Sequence, residues 1–169
     1  MRELHCSICG APFICVTCQN GAVERLLCRF NVFPFRCQLC TNRFRVFSSG
    51  ARHNTQAFDR RQYTRLTASI EAQILDGSQP DVTTRITDIS MNGCTLQTTG
   101  LSKGAFVGLV LKPTVQEKTI HIETAMICSV RSSSMGIRFL EVPPEHQPRL
   151  VQVVLGLLVN QPSYLSSYG

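Results

Sequence analysis

A chain of 169 residues is long enough for one full hydrophobic core and a small satellite module. With 43% hydrophobic and 17% charged residues and no repeat or low-complexity tract, its composition is that of a globular protein and excludes a largely disordered or repetitive one. The net charge of +6 is uneven: residues 1–50 hold six Arg against two Glu, residues 51–65 four Arg against one Asp, and residues 66–169 sum to −1, so an anionic ligand is expected near the first 65 residues.

Nine cysteines would suit a secreted disulfide scaffold, but the opening MRELHCSICG has no apolar signal-peptide core. Reduced thiols and a cytoplasmic location are the expectation. The longest apolar run, 150–159, is interrupted by Gln152 and Gly156 and is far shorter than the roughly 20 residues needed to span a bilayer.

Seven of the nine cysteines lie within residues 1–40. Cys6-Ser7-Ile8-Cys9 and Cys37-Gln38-Leu39-Cys40 are two C-x-x-C knuckles, a spacing that lets both thiolates of a pair reach one tetrahedral Zn²⁺. Cys15 and Cys18 form a third pair, whose 18-residue gap to Cys37 suits ribbon spacing better than the 27 residues after Cys9. Gly10, directly after Cys9, favours Cys6, Cys9, Cys37 and Cys40, and leaves Cys15 and Cys18 as packing thiols or as the alternative ligands. Four thiolates give the ion a net charge of −2, which Arg36, Arg43 and Arg45 are placed to offset, and leave no open position for catalysis. The intervening Val23-Glu24-Arg25-Leu26-Leu27 is a helix candidate. The interleaved Phe and Arg around the second knuckle fit a nucleic-acid or protein surface, or the module's own small core.

Residues 48–58 are small and polar without apolar period and read as a linker. They lead into Asp59-Arg60-Arg61, with Arg65 four residues beyond Arg61. Six runs of strand character follow at 66–75, 82–88, 93–98, 105–112, 119–130 and 135–141, separated by turn residues, a spacing typical of an all-β barrel or sandwich. In the fifth run, Ile120, Ile122, Thr124, Met126 and Cys128 are expected on the core face. Val142-Pro143-Pro144-Glu145 reads as the start of a helix running to about Asn160, apolar on nearly all sides, which leaves a second partner surface or a homodimer as one reading and a deeply buried terminal helix as the other. His5, His53, His121 and His146 are scattered, and no nucleophile and base pair or carboxylate cluster stands out, so a non-enzymatic role is expected.

Arg61 and Arg65, followed by Asp88-Ile89-Ser90-Met91-Asn92-Gly93, carry a resemblance. Residues 59–141 are similar to a PilZ domain, whose signature pairs R-x-x-x-R in a lead-in loop with [D/N]-x-S-x-x-G on a barrel strand; Met135-Gly136-Ile137-Arg138-Phe139-Leu140 is similar to the family's last strand. The first 47 residues resemble a zinc ribbon. The PilZ resemblance implies a receptor for cyclic di-GMP, with Arg61 and Arg65, and Arg60 as an additional candidate, clamping bases and phosphates, and with Asp88, Ser90 and Gly93 completing the site. The chemistry is consistent: a guanidinium fork matches guanine O6 and N7, a carboxylate accepts from guanine N1–H and N2–H₂, a hydroxyl donates to phosphate, and glycine allows close backbone approach or a positive φ.

The expected architecture is therefore mainly β: a zinc-ribbon-like module at 1–47, a linker at 48–58, an antiparallel PilZ-type barrel with a C-terminal helix at 59–160, and a flexible tail at 161–169. Ligand binding is expected to order the linker and rearrange the N-terminal module and its protein partner contacts. Two alternatives stand beside this reading: a PilZ-like adaptor that binds no nucleotide, and a zinc-ribbon regulator that binds nucleic acid.

Overall fold

A computed structural model describes residues 4–17, 19–47, 63–75, 82–113 and 118–160. The chain divides into two compact units, Met1–Thr64 and Arg65–Gly169.

In the first unit, strands β1 (Ile14–Val16), β2 (Val32–Cys37) and β3 (Arg43–Phe47) form an antiparallel sheet with β2 in the centre, and helix α1 (Gly21–Arg29) connects β1 to β2. The core is small: Ile14, Phe35, Cys37 and Leu39 are buried, and Phe35 stacks on Phe44 with centroids 6.2 Å apart. Phe30 and Phe47 are exposed, so the phenylalanines only partly form the core. Helix α1 is turned inside out. Its one buried residue is Glu24, while Val23, Leu26 and Phe30 face solvent at helical spacing. The cause is an ion pair: Glu24 accepts from Arg43 at 2.6 Å and from Arg45 at 3.2 Å, as well as from the N–H of Asn20 at the start of the helix. Burial alone would raise the Glu24 carboxyl, but the Asn20 N–H and the two guanidinium groups hold it below the usual carboxylate range. Arg43 and Arg45 thus pair directly with Glu24.

The second unit is a closed six-stranded antiparallel barrel in the order β4-β5-β6-β9-β8-β7. Its strands are β4 (Leu66–Leu75), β5 (Val82–Ser90), β6 (Gly93–Leu96), β7 (Phe106–Lys112), β8 (Ile120–Val130) and β9 (Met135–Glu141). Closure leaves no free sheet edge. The interior is aliphatic, with Leu66, Ile86, Ile89, Leu96, Leu109, Leu111, Ile122 and Ile127 all buried. Ile86 and Ile89 both point inward although three residues apart, because the β5–β6 register shifts between Ile86 and Asp88 and turns Thr87 and Asp88 outward together.

A second register irregularity corrects the reading of β8. Ile120 and Ile122 are core, but beyond them Ala125 and Ile127 are buried, and Thr124, Met126 and Cys128 are not. The registers with β7 and β9 both shift around Thr124, and one extra residue reverses the phase of a period-2 pattern.

Helix α2 (Gln147–Val159) starts later than the proline pair implies. Pro143 lies in the preceding turn, its carbonyl accepting from His146 and Gln147, and the proline in the first helical turn is Pro148. Leu150, Val154 and Leu158 form the buried stripe, next to β4. Among the described residues no helix is long and apolar enough to cross a membrane.

Candidate functional site

Two constellations stand out, one in each unit. In the first unit, the Sγ atoms of Cys6, Cys9, Cys37 and Cys40 all lie within 4.8 Å of one another. Cys6 and Cys40 are 3.4 Å apart and Cys9 and Cys37 3.6 Å, close to the edge of about 3.8 Å that four sulfurs form around a tetrahedral ion. The two knuckles are built alike. The N–H of Ile8 donates to the Cys6 sulfur at 3.5 Å and that of Leu39 to the Cys37 sulfur at 3.4 Å. Both loops are closed by a backbone bond of 2.9 Å, from Cys6 N–H to the Ala11 carbonyl and from Cys37 N–H to the Asn42 carbonyl, and in the first Gly10 N–H also donates to the Cys6 carbonyl at 2.9 Å. The residue after each second cysteine is left-handed, Gly10 at φ 69° and Thr41 at φ 62°. Only the first is a glycine. Threonine in that region is strained, and the Arg36 guanidinium fastens the turn by donating to the Thr41 carbonyl at 3.1 Å.

The electrostatics also fit a cation. Burial pushes the Cys6 thiol up, but the N–H groups of Cys9 and Ile8 and the Cys40 and Cys9 thiols more than reverse this, to about 6. Burial and the crowding of the other three sulfurs push Cys40 up to about 12, and burial raises Cys37 as well. Four sulfurs converging within 4.8 Å would repel one another as thiolates, and a soft or borderline metal ion among them would relieve that repulsion. Cys15 lies 3.6 Å from the Thr64 hydroxyl, and Cys18 lies outside the described residues.

In the second unit, the barrel registers align a row of outward residues: Thr67 pairs with Asp88, Asp88 with Thr95, Thr95 with Gly136, and Gly136 with Ser129. Arg65 reaches over this row. Its Nη1 donates to Thr95 Oγ1 at 2.6 Å and to Asp88 Oδ1 at 3.2 Å, while the Thr95 hydroxyl donates to the same Asp88 oxygen at 3.0 Å. Arg65 and Asp88 remain 40% and 26% exposed, accessible enough to change partners.

The neighbouring row runs from Ser90 through Gly93 to Arg138. Ser90 is nearly buried, and its hydroxyl donates to the Gly93 carbonyl at 3.2 Å while accepting from Asn92 N–H at 3.4 Å, so it shapes the turn. Gly93 is required by close approach and not by a positive φ, because a Cβ there would overlap the Ile137 carbonyl oxygen. Arg65, Asp88, Ser90 and Gly93 therefore share one outer face of the barrel. Arg60 and Arg61 lie outside the described residues.

Two residues of this face were not singled out in the sequence. Thr95 was reachable in principle, since counting outward from the turn at Met91 and Asn92 pairs it with Asp88. Arg138 alternates with the buried Ile137 and Phe139 and so faces outward beside Gly93.

The fold is shared with solved proteins. The PilZ domain of YcgR from Escherichia coli, with c-di-GMP, matches over 64% of this chain and 98% of its own at 18% identity and a TM-score of 0.52. YcgR of Escherichia coli in complex with c-di-GMP matches over 85% of this chain and 73% of its own at 17% identity and a TM-score of 0.51. The Bacillus subtilis inhibitor of motility, MotI/DgrA, matches over 77% and 66% at 18% identity and a TM-score of 0.51. At such identities the likeness is one of fold. No curated protein matches the sequence. The PilZ domain model matches residues 59–156, more than half of the chain and all of the barrel, and the chain belongs to the PilZ domain family.

Proposed function

We propose that this protein is a receptor for cyclic di-GMP that reads the nucleotide without hydrolysing it, with Arg60, Arg61, Arg65, Asp88, Ser90 and Gly93 forming the ligand site. The observation that carries the reading is the set Arg65, Asp88 and Thr95 on the outer face of a PilZ barrel, beside the Ser90–Gly93 turn. A guanidinium, a carboxylate and a hydroxyl already joined to one another are the groups that guanine edges and phosphates would engage, by exchanging internal bonds for bonds to ligand. Arg65 leaving Asp88 frees the carboxylate for guanine N1–H and N2–H₂, and the guanidinium for O6, N7 or phosphate. Family membership supports the same ligand, as do the two Escherichia coli structures described with c-di-GMP.

Zn²⁺ is the ion that four thiolates at this spacing favour, held by Cys6, Cys9, Cys37 and Cys40 in a closed, structural site. Binding at the R-x-x-x-R segment is then transmitted to the N-terminal module, whose exposed Val23, Leu26 and Phe30 offer a surface for a protein partner.

Titration of the zinc-loaded protein with cyclic di-GMP and cyclic di-AMP at low and high salt tests the reading against duplex binding. Saturable binding of the guanine ligand, with the adenine ligand rejected at both salt concentrations, is the expected result. Binding of DNA that falls steeply with salt, with no response to either dinucleotide, would replace the receptor by a nucleic-acid binder.

A further inference from the structure

The residues before Arg65 are tied to the second cysteine knuckle. Tyr63 OH accepts from Arg36 Nη1 at 3.0 Å, and the Arg36 guanidinium lies 5.3 Å from the centre of the Tyr63 ring. The N–H of Thr64 donates to Gln38 Oε1 at 2.9 Å, and the Gln38 side chain, 3% exposed, is itself bonded to the Arg36 carbonyl. Arg36 and Gln38 flank Cys37, and the same Arg36 Nη1 holds the Thr41 carbonyl just past Cys40. One residue beyond Thr64, the Arg65 side chain is bonded to Asp88 and Thr95. The boundary between the two compact units falls between Thr64 and Arg65, inside the R-x-x-x-R segment.

From this we infer that Arg36 and Gln38 are positioning residues for Arg65, so that the state of the cysteine cluster is read out in the affinity for cyclic di-GMP. The inference rests on the receptor reading above. Consecutive Cα atoms are about 3.8 Å apart, so holding the Thr64 N–H limits where the Arg65 backbone can lie. Preorganising a binding loop raises affinity by removing ordering that the ligand would otherwise have to drive. Gln38 lies between Cys37 and Cys40, and its orientation depends on the loop those thiolates close. A metal bound by the four cysteines would fix that loop and with it the grip on Tyr63 and Thr64.

The test is calorimetric titration of the full chain with cyclic di-GMP, comparing zinc-loaded wild type, Gln38→Met, Tyr63→Phe and chelator-treated wild type, with metal content and thermal unfolding measured on each. Gln38→Met keeps the volume but loses the acceptor for Thr64 N–H; Tyr63→Phe keeps the ring and loses the acceptor for Arg36. Each is expected to weaken binding about fivefold, the effect of one hydrogen bond, with zinc content and the barrel's melting unchanged. Chelation is expected to weaken it at least as much. Affinities within twofold of wild type for Tyr63→Phe and for the chelated protein would overturn the inference while leaving the receptor reading intact, and that pair decides the matter if Gln38→Met loses its metal. No binding by zinc-loaded wild type would remove the receptor reading, and this inference with it.

Discussion

Asp88, Ser90 and Gly93 were legible as residues because their spacing is a motif, but the structure distinguishes their duties. Gly93 serves the barrel: the Ile137 carbonyl occupies the space a side chain would need. Ser90 is engaged in its own turn, and Asp88 is the member whose carboxylate stands at the surface, paired with Arg65. Thr95 carries no motif signature, since threonine is among the residue types enriched in strands generally, and only the strand register reveals that it joins Arg65 to Asp88. Thr95→Val keeps the β-branched shape and removes that hydroxyl. It is expected to weaken cyclic di-GMP binding by about fivefold to tenfold while changing the melting temperature little, a pair of readings that titration and calorimetric melting supply together.

At the scale of elements, the sequence revealed all six barrel strands to within two residues at each end, because hydrophobic alternation and turn chemistry agree there. It did not reveal the bulges. A bulge is one extra residue with no compositional mark, yet it decides that Asp88 faces out and that Ala125 and Ile127, not Thr124 and Met126, enter the core. Helix α1 was legible as a helix but not in its orientation, because burying Glu24 becomes favourable only when Arg43 and Arg45 arrive from a distant strand. The consequence is a defined pH dependence. A carboxyl whose folded value is depressed stabilises the fold fully above its unfolded value, near 4.3, and that contribution is lost as pH falls through the folded one. Glu24→Gln is therefore expected to cost about 1 to 2 kcal/mol at pH 7, with the gap to wild type closing below about pH 4, as followed by denaturant unfolding at both pH values. A gap that stays constant with pH would show that the carboxylate charge contributes nothing.

For the whole molecule, the concentration of cysteine before residue 41 and of strand signals after residue 65 made the two-part organisation readable. The four-cysteine cluster converges because both knuckles close the same turn, one with Gly10 and one with Thr41. What composition did not reveal is that the arginine motif straddles the two units, with Thr64 bonded to Gln38 on one side and Arg65 to Asp88 on the other. The most direct test of the receptor claim is calorimetric titration of wild type and Asp88→Ala with cyclic di-GMP. Asp88 is partly exposed, so its loss should cost the fold less than about 1 kcal/mol. Saturable binding by wild type that disappears in an equally well-folded Asp88→Ala is the expected result; no binding by wild type, or equal binding by both proteins, would contradict it.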